Sequence, residues 1–314
     1  MRIDVHAHYY TNEFADRMES IRGGPRGGAS GRAPGANVST EQRLEMLDEA
    51  GIDTQILCVG AQQPYFSDAT SAVEGAHFAN NLYKETVERF GGRYSAFGCV
   101  PLPHVDAAIT EAARCLDDLD FTGINLACSI AGQPLDTPAF EPFWAEMDRR
   151  NAVVFLHPNM HCDAPMMGDF GLEQTAGGCF EDSIAGMRLL FSGLAKKFTN
   201  FRLIIPHLGG TIPFLWQRIE NHYTRGHGGE SAKALLSRFY YDTVNNNPAS
   251  LACTIDAVGL NHVLFGTDYP YLTHKECVDY ILNSGLPAAQ IKAILDENAQ
   301  ALLKLPAPKG AAAA

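Results

Sequence analysis

Apolar and polar positions along the chain follow two periods, and the switches between them mark out the elements. Ile3-Asp4-Val5-His6-Ala7-His8 alternates at the period of a strand, with Val5 and Ala7 on one face and His6 and His8 on the other. Strand-like runs recur at 54–59, 94–100, 123–128, 153–157, 201–207, 239–244 and 262–267. The run Val153-Val154-Phe155-Leu156 is apolar throughout, as expected of a strand covered on both faces. Helical spacing fills the intervals. A helix over 11–20 precedes one from about 40 to Gly51 that Ser39 or Thr40 can cap, and the helix over 71–90 has Phe78, Leu82 and Val87 as its apolar positions. Further helices are predicted over 105–119, 140–150, 184–198, 213–223, 232–238, 249–258, 276–283 and 288–303.

Eight strand signals alternating with helices argue for a parallel sheet, and eight at this length argue for a (β/α)8 TIM barrel, distorted and in one domain. No linker or internal repeat divides residues 1–305. The Gly-rich loop 22–37 after the first strand carries Arg22, Arg26 and Arg32 and reads equally as spacer or lid. Residues 306–314, ending in four alanines, read as a tail.

Composition narrows the class. With 46% hydrophobic and 19% charged residues, the chain can bury a large core, which excludes global disorder. A net charge of -12 argues against a nucleic-acid surface, which needs a basic stripe. It leaves a small anionic substrate open, because a local arginine or a metal outweighs the global field. No stretch reaches the length of a membrane span and the polar start is no signal peptide, so a cytoplasmic protein is expected. None of the eight cysteines forms a Cys-x-x-Cys pair, so they read as reduced thiols rather than a thiolate metal site.

The candidate chemistry lies at strand ends. His6 and His8 end the first strand, His157 the fifth, His207 the sixth and Asp268 the eighth. In a parallel barrel these ends open on one face, where active sites sit. His6, His8, His157 and Asp268 offer three nitrogens and an oxygen, a set that suits Zn²⁺, with Mn²⁺ or Fe²⁺ as alternatives. His207 is read as an acid/base, its alternative being a fifth ligand or an orienter of the others. The paired glycines after it, Gly209 and Gly210, allow ligand or backbone to come close. Tyr9, Tyr10, Phe66, Phe170 and Trp216 are candidate apolar walls, with ordinary packing as the alternative.

These residues sit in motifs that resemble the amidohydrolase superfamily, in particular the branch with aminocarboxymuconate semialdehyde, methylsalicylate and resorcylate decarboxylases. The motifs are Ile3-Asp4-Val5-His6-Ala7-His8, Phe155-Leu156-His157-Pro158, Ile205-Pro206-His207-Leu208-Gly209-Gly210, Tyr240-Tyr241-Asp242-Thr243 and Gly266-Thr267-Asp268-Tyr269-Pro270. The resemblance implies His6, His8, His157 and Asp268 as metal ligands and His207 as the catalytic acid/base; Asp268 is a second candidate to deliver the proton. The His-x-His start resembles the zinc-using members. An Arg from the loop after the first strand holds a carboxylate in many of them, which points to Arg32; of the candidate apolar walls, Phe170 is taken as a second substrate contact. Relatives are often dimers, so a homodimer is expected. The implied reaction is non-oxidative decarboxylation of an aromatic or enol-type carboxylic acid. The runner-up is hydrolysis or hydration of a lactone, an amide or a ring-cleavage product, and a barrel without chemistry is the third reading.

Overall fold

All six residues of the first strand are buried, and so are all five of Val153–His157, which only a sheet covered on both faces allows. In the computed structural model, which describes residues 1–23, 35–159 and 167–305, these strands belong to an eight-stranded sheet. Its strands are β1 (Ile3–His8), β2 (Thr54–Cys58), β3 (Tyr94–Gly98), β4 (Gly123–Ala127), β7 (Val153–His157), β8 (Arg202–Ile205), β9 (Tyr240–Asp242) and β10 (Val263–Leu264). A short hairpin, β5 (Ser129–Ile130) with β6 (Gln133–Pro134), follows β4. The sheet runs β1-β2-β3-β4-β7-β8-β9-β10 with every neighbour parallel. Beyond β10 the chain returns to β1: Val5 N–H donates to Phe265 O at 2.9 Å and His8 N–H to Tyr269 O at 2.8 Å. The result is the expected (β/α)8 barrel.

The interior holds Ile3, Val5, Ile56, Phe97, Phe155, Ile204 and Leu264, all fully buried. Burial of such a side chain stabilises by about 1.5–3 kcal/mol. Leu302, Leu303 and Leu305 join this group near Met1 and Ile3. A larger apolar layer, including Leu57, Ala96, Leu126, Leu156 and Ile205, lies between the sheet and the helices.

The helices that position the site are α1 (Asn12–Arg22), α2 (Thr40–Ala50), α3 (Ala69–Arg89), α4 (Val105–Ala113), α5 (Glu141–Arg149), α6 (Gly178–Phe191), α7 (Leu194–Lys197), α8 (Ile212–Gly226), α9 (Lys233–Leu236), α10 (Pro248–Val258) and α11 (His274–Leu282). Ser39 caps α2 in a reciprocal box with Gln42. On α3 the buried stripe is Ala72, Ala76, Ala79 and Tyr83, while the expected Phe78, Leu82 and Val87 are only partly buried. Small residues let that helix approach the sheet closely. Among the described residues no helix is long and apolar enough to cross a membrane.

Three expectations shift. The sixth strand stops at Ile205, because Pro206 has no N–H to donate and His207 turns into the left-handed region at φ +53°. The helix expected over 184–198 starts at Gly178 and breaks after Phe191. Regular pairing in the eighth strand covers Val263–Leu264 alone, because the Asp4 carboxylate and the His6 carbonyl take the Thr267 N–H. Most of the loop 22–37, with Arg32, and the tail 306–314 lie outside the described residues.

Candidate metal centre

Simple alternation sets Val5 and His6 on opposite faces of β1. The pairing with β2 instead slips between Asp4 and Ala7, where β1 has one residue more than its partner. The bulge lets both side chains reach the interior: Val5 joins the apolar group, and the His6 ring stands 4.9 Å from that of Phe155. His8 follows, with its ring beside Gly60. A Cβ on Gly60 would lie 2.1 Å from His8 Cε1, so that position takes no side chain.

Each of these imidazoles has its Nδ1 committed. His6 Nδ1 donates to Asp242 Oδ2 at 2.7 Å. His157 Nδ1 donates to the Pro158 carbonyl at 2.8 Å. His8 Nδ1 lies 2.9 Å from Tyr10 Oη, whose own proton goes to Val59 O, so the imidazole is the donor there. Carbonyls and carboxylates only accept. The proton therefore sits on Nδ1 in all three rings, and Nε2 is left with a bare lone pair.

The free nitrogens face one another and a carboxylate. His6, His8, His157 and Asp268 each offer one ligand atom, and these atoms lie within 4.8 Å of one another. Asp268 Oδ1 stands 2.8 Å from His8 Nε2 and 3.1 Å from His6 Nε2. His6 Nε2 is buried and makes no hydrogen bond. Lone pairs this close repel unless a positive charge lies between them, so the donor set fits a divalent cation held by nitrogen and oxygen.

The electrostatics show the same demand for positive charge, which a second proton on His6 meets where no ion does. Burial opposes charge on His6, but Asp242 and Asp268 outweigh it and raise its pKa to about 9. Burial, with the neighbouring imidazoles, pushes His157 well below its usual range, and burial lowers His8. Burial alone would raise Asp268, yet the surrounding imidazoles hold it well below the usual carboxylate range. Asp268 is set by its backbone at φ +56°, with its N–H donating to His6 O at 2.8 Å.

His207 stands at the edge of this group. Its Nδ1 lies 2.8 Å from Asp182 Oδ2 and its Nε2 lies 3.9 Å from Asp268 Oδ2. Its backbone N–H donates to Asp242 Oδ1 at 2.9 Å, so Asp242 ties His207 to His6. The second glycine after it serves the backbone: a Cβ on Gly210 would stand 2.1 Å from the Cys179 carbonyl of α6. That close approach brings Asp182 to the imidazole.

The structure thus brings His6, His8, His157, His207 and Asp268 together. Phe170 is 95% exposed, and among the described residues no ring pair links it to the cluster. Tyr10 stacks on His8 at 5.2 Å, and Tyr271 meets it edge-on at 5.5 Å. Sequence reasoning gave no role to Asp182, Asp242 or Tyr271, although Asp242 lay in a quoted motif. Asp242 carried a signal, an acidic residue at the end of the seventh strand. Asp182 carried none, since it lies inside a helix. A cavity of about 370 Å³ lined by Arg22, Gln63, Tyr65, Phe66 and Asn159 lies on the same side of the barrel, two residues beyond His157.

The amidohydrolase family profile matches residues 3–305. The gamma-resorcylate decarboxylase of Rhizobium sp. is 28% identical over 288 residues, 84% of this chain and 87% of that one. The 6-methylsalicylic acid decarboxylase of Penicillium expansum is 28% identical over 283 residues, 87% of this chain and 86% of that one. Among solved structures, a dihydroxybenzoic acid decarboxylase from Polaromonas sp., with bound manganese and the inhibitor 2-nitroresorcinol, superposes with a TM-score of 0.84 at 25% identity, covering 97% of both chains.

Proposed function

The chain belongs to the amidohydrolase family, and from that premise we propose that it is a divalent-metal-dependent decarboxylase that releases carbon dioxide from a small aromatic carboxylic acid without oxidation. The observation that carries this reading is the convergence of four donor groups within 4.8 Å. Support comes from relatives that are gamma-resorcylate and 6-methylsalicylic acid decarboxylases.

His6, His8, His157 and Asp268 would hold the ion. Three nitrogens and one oxygen suit zinc, and the manganese in the Polaromonas enzyme supports manganese as the alternative. A bound ion supplies a Lewis acid that draws electron density from the substrate's oxygen atoms. The rest falls to the chain. His207 has Nδ1 tied, so Nε2 is the atom at which it holds or gives up a proton. Asp268 Oδ2 is the second proton carrier of the pair. A proton delivered to the ring carbon that bears the carboxylate forms the new carbon–hydrogen bond. The carbon–carbon bond then breaks, its electron pair restores the ring, and carbon dioxide departs. Tyr10 and Tyr271 bound the apolar side of this space. The neighbouring cavity has the size of a small-molecule pocket.

A homodimer belongs to the same proposal: Phe180 and Ile184 on α6 and Phe214 on α8 are exposed apolar side chains that a second copy would cover. So does a cytoplasmic setting, supported by seven free cysteines among the described residues.

The test is to incubate zinc-loaded and manganese-loaded protein with a panel of hydroxybenzoates in heavy water. Released carbon dioxide, with deuterium at the vacated ring position, is the expected result. Solvent oxygen in a ring-opened or hydrolysed product, with no carbon dioxide, transfers the site to the hydrolase reading.

A further inference from the structure

Asp182 is fully buried in the second turn of α6, yet no strand end or loop puts it at the catalytic face. Both of its oxygens are engaged. Oδ2 lies 2.8 Å from His207 Nδ1, and Oδ1 accepts from the Cys128 thiol at 3.3 Å. The next residue, Ser183, locks the same helix turn to the chain after His207: its hydroxyl accepts the Thr211 N–H at 2.7 Å. The Asp242 carboxylate holds the His207 backbone separately. Backbone and ring are thus fixed by two different carboxylates, one from the sheet and one from a helix.

The division has a chemical consequence. An imidazole without a partner at Nδ1 interchanges its two tautomers and rotates about its own bonds. A carboxylate at Nδ1 accepts only, so it keeps a proton there and aims the other nitrogen. At His207 that other nitrogen is Nε2, directed at Asp268. We propose that Asp182 is the positioning residue for His207, holding the proton on Nδ1 so that Nε2 faces the four-donor cluster. Asp182 touches neither substrate nor ion and acts through the ring alone. The kinetic consequence rests on the decarboxylase reading above; the tautomer does not.

The experiment is ¹⁵N spectroscopy of histidine-labelled, zinc-loaded protein, full chain, with His207→Gln identifying the His207 signals. The expected result is a His207 ring protonated at Nδ1 in the wild type, with that signal shifted or lost in Asp182→Asn. For the same variant, kcat for the best hydroxybenzoate should fall about 100-fold or more, with KM and zinc content unchanged. A wild-type ring protonated at Nε2 alone overturns the proposal. So does an Asp182→Asn enzyme whose kcat stays within about threefold of wild type. If that variant does not fold, the wild-type spectrum decides alone. If no aromatic acid is turned over, the decarboxylase reading fails, while the spectrum still decides the role of Asp182.

Discussion

Two buried polar groups flank β1, built from similar residue types, and they end in opposite states. One is the four-donor cluster. The other lies between the strand and the helices: Asp4, Gln55, Arg43, Thr267 and His274, all nine-tenths buried or more. Asp4 accepts from Thr267 Oγ1 and from Gln55 Nε2, each at 2.6 Å, and from the backbone of Thr267 and His6. Gln55 gives its other proton to His274 Nε2 at 2.9 Å and accepts Arg43 Nε at 2.7 Å. Arg43 Nη1 donates to His8 O at 2.6 Å, and its guanidinium lies over Tyr269 at 4.6 Å and Tyr9 at 5.4 Å. In this group nearly every donor meets an acceptor, with one Arg43 nitrogen left over. In the cluster, acceptors meet acceptors. A buried network that satisfies itself needs no guest, whereas one with surplus lone pairs calls for a cation.

The comparison breaks most sharply on removal of the ion. Chelation, or His8→Ala, should abolish metal binding as read by elemental analysis and lower kcat/KM by about 1000-fold or more. The same treatment should leave the Asp4–Gln55–His274 group intact, readable as unchanged hydrogen exchange at Gln55. Full activity in metal-free protein would sink the comparison.

His207→Asn should cost about 100- to 10,000-fold in kcat while the ion stays bound, because the imidazole lies outside the four donors. An equal loss of metal would make it a ligand instead.

On the other side, Arg43→Met should destabilise the fold by about 2–4 kcal/mol in denaturant melts, because it strands buried acceptors on Gln55 and His8. Loss of the His8 carbonyl contact should also weaken metal affinity. A stability change below about 0.5 kcal/mol would show that the self-satisfied group contributes little.

The smallest effect lies in pH. Burial, then the Arg43 charge, pushes His274 from 6.5 down to about 3. Between those values the unfolded chain binds one proton more at this site, so stability rises with pH and is complete above about 6.5. Burial drives Asp4 the other way, from 3.8 up to about 6, against its hydrogen bonds. There the folded chain binds the extra proton, so stability falls as pH rises through about 6. The two slopes oppose each other between about pH 4 and 6. In His274→Gln the rising slope disappears and the falling one remains, a change of up to about 1.4 kcal/mol per pH unit at its steepest. Melting curves from pH 4 to 7 that stay parallel for both proteins would contradict this.

The barrel was legible because its strands carry a pattern that needs no partner to be read. Eight runs with helices between them are a local property, and a parallel sheet collects their C-terminal ends on one face. The five candidate groups were legible for the same reason: each stands at or just past a strand end. Their chemistry was not. Which nitrogen of each imidazole is free depends on Tyr10, Pro158, Asp242 and Asp182, and two of these, Asp242 and Asp182, are remote in sequence from the ring they orient.

The sequence by itself determined the eight strands of the barrel, the cap at Ser39 and the residue types at the barrel mouth, because period and composition are written residue by residue. Only the tertiary structure decided that β1 bulges to turn His6 inward, that Gly210 lets α6 bring Asp182 to His207, and that Asp4 faces a closed network instead of the cluster. Those outcomes depend on distances between segments far apart along the chain, and hydrogen bonding is sensitive to tenths of an ångström that no local pattern encodes.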